Sequence, residues 1–206
     1  MKLREISTMV VLLGLLQLLR WGIKQTIFLF VDRTNFTDHL ASMTAMSTLT
    51  VLILLISKKR KVKLSVFPEK FTKSYLIGTI IFALILVSTP ANYTGDIQVI
   101  ILLGYSSLVT PIFEELIFRG YVWNRLSVIF NRESTVYLGS SFLFGIWHLG
   151  YLDSLTFRVE TDLVKALIWK VITGLCYGLV LGLLRLKTRN CYSTMLLHGM
   201  MNVFGR

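Results

Sequence analysis

Two adjacent carboxylates and a guanidinium, Glu114, Glu115 and Arg119, interrupt the otherwise apolar stretch TPIFEELIFRGY. Of the eleven acidic residues, only these two fall inside an apolar segment. Ionisable groups there are costly and by default mark a functional position. On a helix, Glu115 and Arg119 share a face with the acid N-terminal, the favourable order for a pair. Glu114 projects about 100° away. One carboxylate can therefore be held in an ion pair while its neighbour stays available as a general base. The plainer alternative is a salt bridge at the membrane edge, with Arg119 reaching the headgroups. Pro111, one turn earlier, lacks an N–H and should free a backbone carbonyl and kink the helix beside the pair.

Two further polar constellations follow. In FLFGIWHLGY, Phe144 and His148 lie one turn apart on one face. In MLLHGMMN, His198 and Asn202 do the same. An imidazole and a carboxamide in register can aim two donors at one point, as a developing oxyanion requires. Taken singly, each has a bland reading as interhelical hydrogen bonding. A base, two imidazoles and an amide on three helices are together a set that packing alone does not call for. The third histidine, His39, sits at a helix start facing a loop and is expected to take no part.

The elements that must position these groups are membrane helices. The chain has 206 residues, 54% hydrophobic and 16% charged, with mean hydropathy +0.66. Ordinary soluble domains carry roughly a quarter charged residues. Strand alternation is absent, which argues against a transmembrane barrel. The expected fold is all-α, a polytopic membrane helix bundle with seven apolar segments at about 6–30, 39–57, 75–90, 97–118, 134–152, 164–186 and 192–204. Arg20 and Lys24 place the second half of the first segment at the interface or inside the bundle. A single domain over 1–206 is expected, with a motif-bearing core at 97–206 and additional spans at 1–96.

The net charge of +11 would suggest nucleic acid in a soluble protein. Here the basic run KKRKVK, Lys58 to Lys63, reads as a topology anchor facing anionic lipid, and no nucleic-acid partner is expected. Basic loops alternate with neutral or acidic ones. The positive-inside rule then places the N-terminus in the cytoplasm and the C-terminus outside. Cys176 and Cys191 lack CxxC spacing and read as small buried residues. The start of the chain has a basic end and an apolar core, but Arg20-Trp21 follows where a cleavage site would need small residues, so an uncleaved first span is expected.

With these residues in view, the chain resembles the CAAX-protease and bacteriocin-processing family of intramembrane proteases. EELIFR at 114–119 is similar to that family's EExxxR motif, FGIWH at 144–148 to FxxxH, and HGMMN at 198–202 to HxxxN, in the same order. The resemblance covers about the last half of the chain. It implies a membrane endopeptidase acting on a peptide or protein substrate at the bilayer, in bacteriocin maturation, self-immunity or signal-peptide processing. It implies that Glu114 and His148 activate water, that His198 and Asn202 hold the oxyanion or support a metal, and that Glu115, Arg119 and Phe144 support the site.

Two rivals remain: a non-catalytic immunity or regulatory protein, and a proton-coupled transporter with a Glu–His relay. No cofactor is firmly implied; zinc on Glu114, His148 and His198 is the alternative to metal-independent chemistry. One requirement is geometric. With the fourth segment ending near 118, Glu114 lies near the cytoplasmic end of its span while His148 lies past the middle of the next. A tilted or kinked fourth helix, or a later start to the fifth, must level them.

Overall fold

In a computed structural model describing residues 2–205, the chain is an all-helical bundle, with no strand among the described residues. Met1 and Arg206, the ends of the expected 1–206 domain, lie outside them. The helices are α1 (Lys2–Phe28), α2 (Asn35–Arg60), α3 (Lys73–Ser88), α4 (Ile97–Ile129), α5 (Glu133–Trp147), α6 (Leu152–Arg158), α7 (Leu163–Thr188) and α8 (Cys191–Phe204). A 3-10 turn, His148–Tyr151, joins α5 to α6. Helices α1, α2, α4 and α7 are long and apolar enough to cross a membrane. The other helices of the seven expected segments are shorter.

Local chemistry sets the boundaries. Thr34 caps α2 in a reciprocal box with Thr37, which satisfies two amide groups at the helix start. The helix ends in Lys58, Lys59 and Arg60, then Lys61 in the left-handed conformation. That places cations where the helix dipole is negative. Asp96 caps α4, and Asn190 caps α8, each accepting from a first-turn amide.

Helix α4 is the spine. Phe113, Leu116, Ile117, Phe118 and Val122 are buried along it. Phe118 meets Phe144 edge-on at 5.0 Å and Trp147 at 5.5 Å between ring centroids. By contrast α1, α2 and α3 expose leucine and isoleucine along their outer faces. Such faces suit lipid rather than water.

Helix α4 differs from expectation in two ways. It runs on to Ile129 rather than stopping near 118. It also carries two π-helical stretches, Tyr105–Val109 and Leu116–Val122. The longer helix supplies the levelling that the shared site requires. Glu114 stands 15 residues before Ile129, and His148 stands 15 residues after Glu133, across a short turn. At ~1.5 Å per residue, the two reach the same depth on neighbouring helices.

The α5–α7 contact depends on a small-residue stripe that our sequence reading did not use, Gly174, Gly178 and Gly182. A Cβ on Gly174 would come within 2.5 Å of the His148 ring, and one on Gly178 within 2.8 Å of the Ser141 carbonyl. Only glycine allows α7 to lie this close to α5.

Candidate active site

Glu114, Glu115, Arg119, Phe144, His148, His198 and Asn202 lie together in the structure. Glu115 and Arg119 form the expected pair, Nη1 to Oε1 at 3.1 Å. The pair is enclosed by protein, so Arg119 does not reach out to headgroups: Glu115 and Arg119 are each 0% exposed. Arg119 also donates to the Gly178 carbonyl at 3.1 Å, and its guanidinium lies 4.5 Å from the Phe144 ring centroid. A buried charge needs this degree of enclosure by partners. Phe144 is thus packed between Arg119 and both imidazoles, whose centroids are 5.0 Å (His148) and 6.0 Å (His198) away.

His198 bridges the two carboxylates. Its Nδ1 lies 2.9 Å from Glu115 Oε1, and its Nε2 lies 3.8 Å from Glu114 Oε2. A carboxylate accepts, so Nδ1 donates to Glu115 and Nε2 is left facing Glu114. His148 is fixed in the same manner, with Nδ1 2.8 Å from the Phe144 carbonyl. The carbonyl can only accept, which leaves His148 Nε2 as the acceptor of the neutral ring.

The π-helical stretches explain how the backbone serves the site. In π register the amide of residue 111 would bond the Ser106 carbonyl, as the Thr110 amide bonds that of Tyr105. Pro111 has no N–H to give. Asn202 Nδ2 donates to the freed Ser106 carbonyl instead, at 2.8 Å. The carbonyl freed by Pro111, anticipated from the sequence, therefore anchors a motif residue. In the second stretch the Phe118 carbonyl accepts from Ser140, and the Arg119 carbonyl from Arg185. Widened turns of this kind recur at functional sites.

These groups line a cavity of about 360 Å³. Glu114, His148, His198 and Asn202 all reach it. Its other walls include residues our sequence reading missed. Tyr151 donates to Glu114 Oε1 at 2.5 Å and receives the Trp147 indole N–H at 3.3 Å. Tyr151 follows His148 by three residues in the quoted FLFGIWHLGY stretch, and a hydroxyl one turn beyond an imidazole was the available signal. Lys170 of α7 also lines the cavity, 5.4 Å from the Tyr151 ring centroid.

His39 corrects an expectation. It was set aside as facing a loop, yet it lines the cavity, with its ring 5.8 Å from that of Tyr105. The reason is that α2 already starts at Asn35 and its first turns pack against α4. Arg20 and Lys24 are inside the bundle, fully buried. Lys24 Nζ contacts Asp153 at 2.8 Å and Asp38 at 3.1 Å, so α1 is tied to α2 and α6 near the cavity.

The Nδ1 bonds of His198 to Glu115 and of His148 to the Phe144 carbonyl leave each Nε2 as the lone-pair atom, which is also how metal-bound imidazoles are oriented. No group of three or more His, Cys, Asp or Glu side chains among the described residues is arranged to hold a metal ion.

Fold and site together define a helical membrane protein whose buried carboxylate and imidazoles open onto an internal cavity. The family model for the type II CAAX prenyl endopeptidase Rce1-like proteins matches residues 96–204. The chain belongs to that family, which supports a CAAX-type intramembrane protease. No curated protein and no solved structure matches the chain.

Proposed function

We propose that the protein is an endopeptidase that uses Glu114 to activate water inside the cavity. The observation carrying this reading is the asymmetry of Glu114. Its Oε1 is held by Tyr151, while Oε2 faces His198 at 3.8 Å on the cavity wall. A water between Oε2 and His148 Nε2 would lose its proton to Glu114 as it attacks the scissile carbonyl. The second hydrogen of Asn202 Nδ2 would stabilise the oxyanion, with His198 joining it in the imidazolium form, which carries a proton on Nε2 as well. Protonated Glu114 would return the proton to the leaving amine. Glu115 and Arg119 position His198 and do not meet the substrate.

Besides α4 and the His148–Tyr151 turn, the cavity walls come from the start of α2, the end of α8, helix α6 and the first half of α7. The basic segment Lys58–Lys63 lies at the opposite end of α2. Under the positive-inside rule the N-terminus is cytoplasmic and the cavity opens on the outer face of the cell membrane. The substrates are then peptides at or beyond that face, lipid-modified or simply hydrophobic, including bacteriocin-like or signal peptides.

The test is reconstitution in nanodiscs with a library of prenylated and unmodified hydrophobic peptides. Cleavage by the wild-type protein that disappears in Glu114→Gln supports the reading. Equal cleavage by both proteins contradicts it.

A further inference from the structure

A second cavity, about 570 Å³, lies at the far end of α4, away from the candidate active site. Its walls come from the 63–72 loop, Trp123 and Asn124 of α4, and the 185–190 turn. Four cations line it, Lys63, Lys70, Arg185 and Arg189, against one carboxylate, Glu69. Only Arg189 among the four has an ion pair within the described residues, with Glu133 at 2.6 Å, and both partners are largely exposed.

Arg185 is the informative member. It is 3% exposed, and its side-chain partners are neutral: Nε donates to the Arg119 carbonyl at 3.0 Å and Nη2 to Asn124 Oδ1 at 3.2 Å. No carboxylate pairs with it among the described residues. A buried guanidinium without a counter-charge is costly, and this one borders an open cavity with three more cations. An anion entering the cavity would supply the missing charge.

The cavity is also built. The Cys191 and Tyr192 amides donate to the Ser65 and Val66 carbonyls at 2.9 and 2.8 Å. Asn124 Nδ2 holds the Lys63 carbonyl at 2.7 Å. Ser65 takes a left-handed conformation, φ 50°, to make this fold of the loop. These ties fix residues 63–66 of the loop against α4 and α8, beside Arg185.

We infer that this cavity is a phosphate-binding site, with Arg185 at its floor and Lys63 and Lys70 at its rim. Guanidinium and ammonium groups together match the shape and charge of a phosphate. The phosphate can belong to an anionic lipid headgroup or to a soluble compound. The cavity's surroundings favour the lipid: Phe67, on the cavity wall, and nearby Phe71 are about 60% exposed, as aromatic side chains at a headgroup boundary are. Basic pockets between helices at a cytoplasmic face take such headgroups.

The experiment is native mass spectrometry of the full chain, titrated with dioleoyl-phosphatidylglycerol or dioleoyl-phosphatidylcholine and challenged with inorganic phosphate. One phosphatidylglycerol should be retained at concentrations where phosphatidylcholine is not. Lys63→Gln with Lys70→Gln, both exposed, should weaken retention about thirtyfold. Lys58→Gln with Lys59→Gln removes the same charge outside the cavity and should change it little. Displacement of the lipid by millimolar phosphate, without renewed retention as lipid is raised, would assign the site to a soluble phosphate compound. Persistence of the lipid would assign it to the headgroup. Equal weakening by the two double variants, or equal retention of the two lipids, would overturn the site.

Discussion

The bundle contains two buried charge clusters, and they are finished differently. In the cluster joining α1, α2 and α6, each carboxylate faces several cations. Asp38 is met by Lys24, Arg33 and Arg158, and Asp153 by Lys24, Arg20 and Arg33. In the cluster on α4, Glu115 is paired with both Arg119 and His198 through Oε1, but among the described residues Glu114 has no cation closer than the 3.8 Å contact to His198. The first arrangement is what a structural network needs, since any carboxylate left unpaired would destabilise the fold. The second leaves one carboxylate oxygen facing a cavity. Adjacent residues of the same type, Glu114 and Glu115, are thereby given different tasks by the side of the helix they occupy.

That contrast can be broken at several points. The largest effect is expected from Glu114→Gln, which keeps the shape and the acceptor for Tyr151 but removes the base. Turnover should fall by about 10²–10⁴-fold with unchanged thermal unfolding, measured by cleavage assay and a melting curve on one preparation. Arg119→Met should unbalance Glu115 and cost about 3–5 kcal/mol, with turnover lost as well. Lys24→Met in the other cluster should lower stability on a similar scale. Its folded fraction should still cleave at the wild-type rate, which separates the structural cluster from the catalytic one. Gly174→Ala should push a methyl into the His148 ring and reduce turnover more than it reduces the melting temperature. The smallest effect is expected for Tyr151→Phe. Losing one hydrogen bond to a charged group, about 1.5–3 kcal/mol, should slow turnover by roughly ten- to a hundredfold, with little change in substrate affinity.

The same contrast shows what was legible in the sequence. The Glu115–Arg119 pair was readable because four-residue spacing fixes a shared helical face. Phe144 with His148, and His198 with Asn202, followed by the same rule. Pro111 announced its free carbonyl, though not that Asn202 would take it, because that contact joins residues 96 positions apart. The extent of α4 was misread because Arg119 and Arg125 look like the end of a span when their partners are unknown. In the structure Arg119 is buried against Glu115 and Arg125 pairs with Glu5 of α1. His39 carries no local mark that separates a first-turn histidine from ordinary packing, and the Tyr151 hydroxyl, one turn beyond His148, is a weak local signal that no second polar group supports. Their place on the cavity wall comes from tertiary contact alone.

The most direct test of the central claim is a comparative peptidome of membranes and medium from cells carrying the wild-type protein or Glu114→Gln at matched levels. A set of peptides trimmed only in the wild-type cells is the predicted result, and it would name the substrates. Identical peptidomes from the two strains would contradict the claim that Glu114 activates water for peptide cleavage.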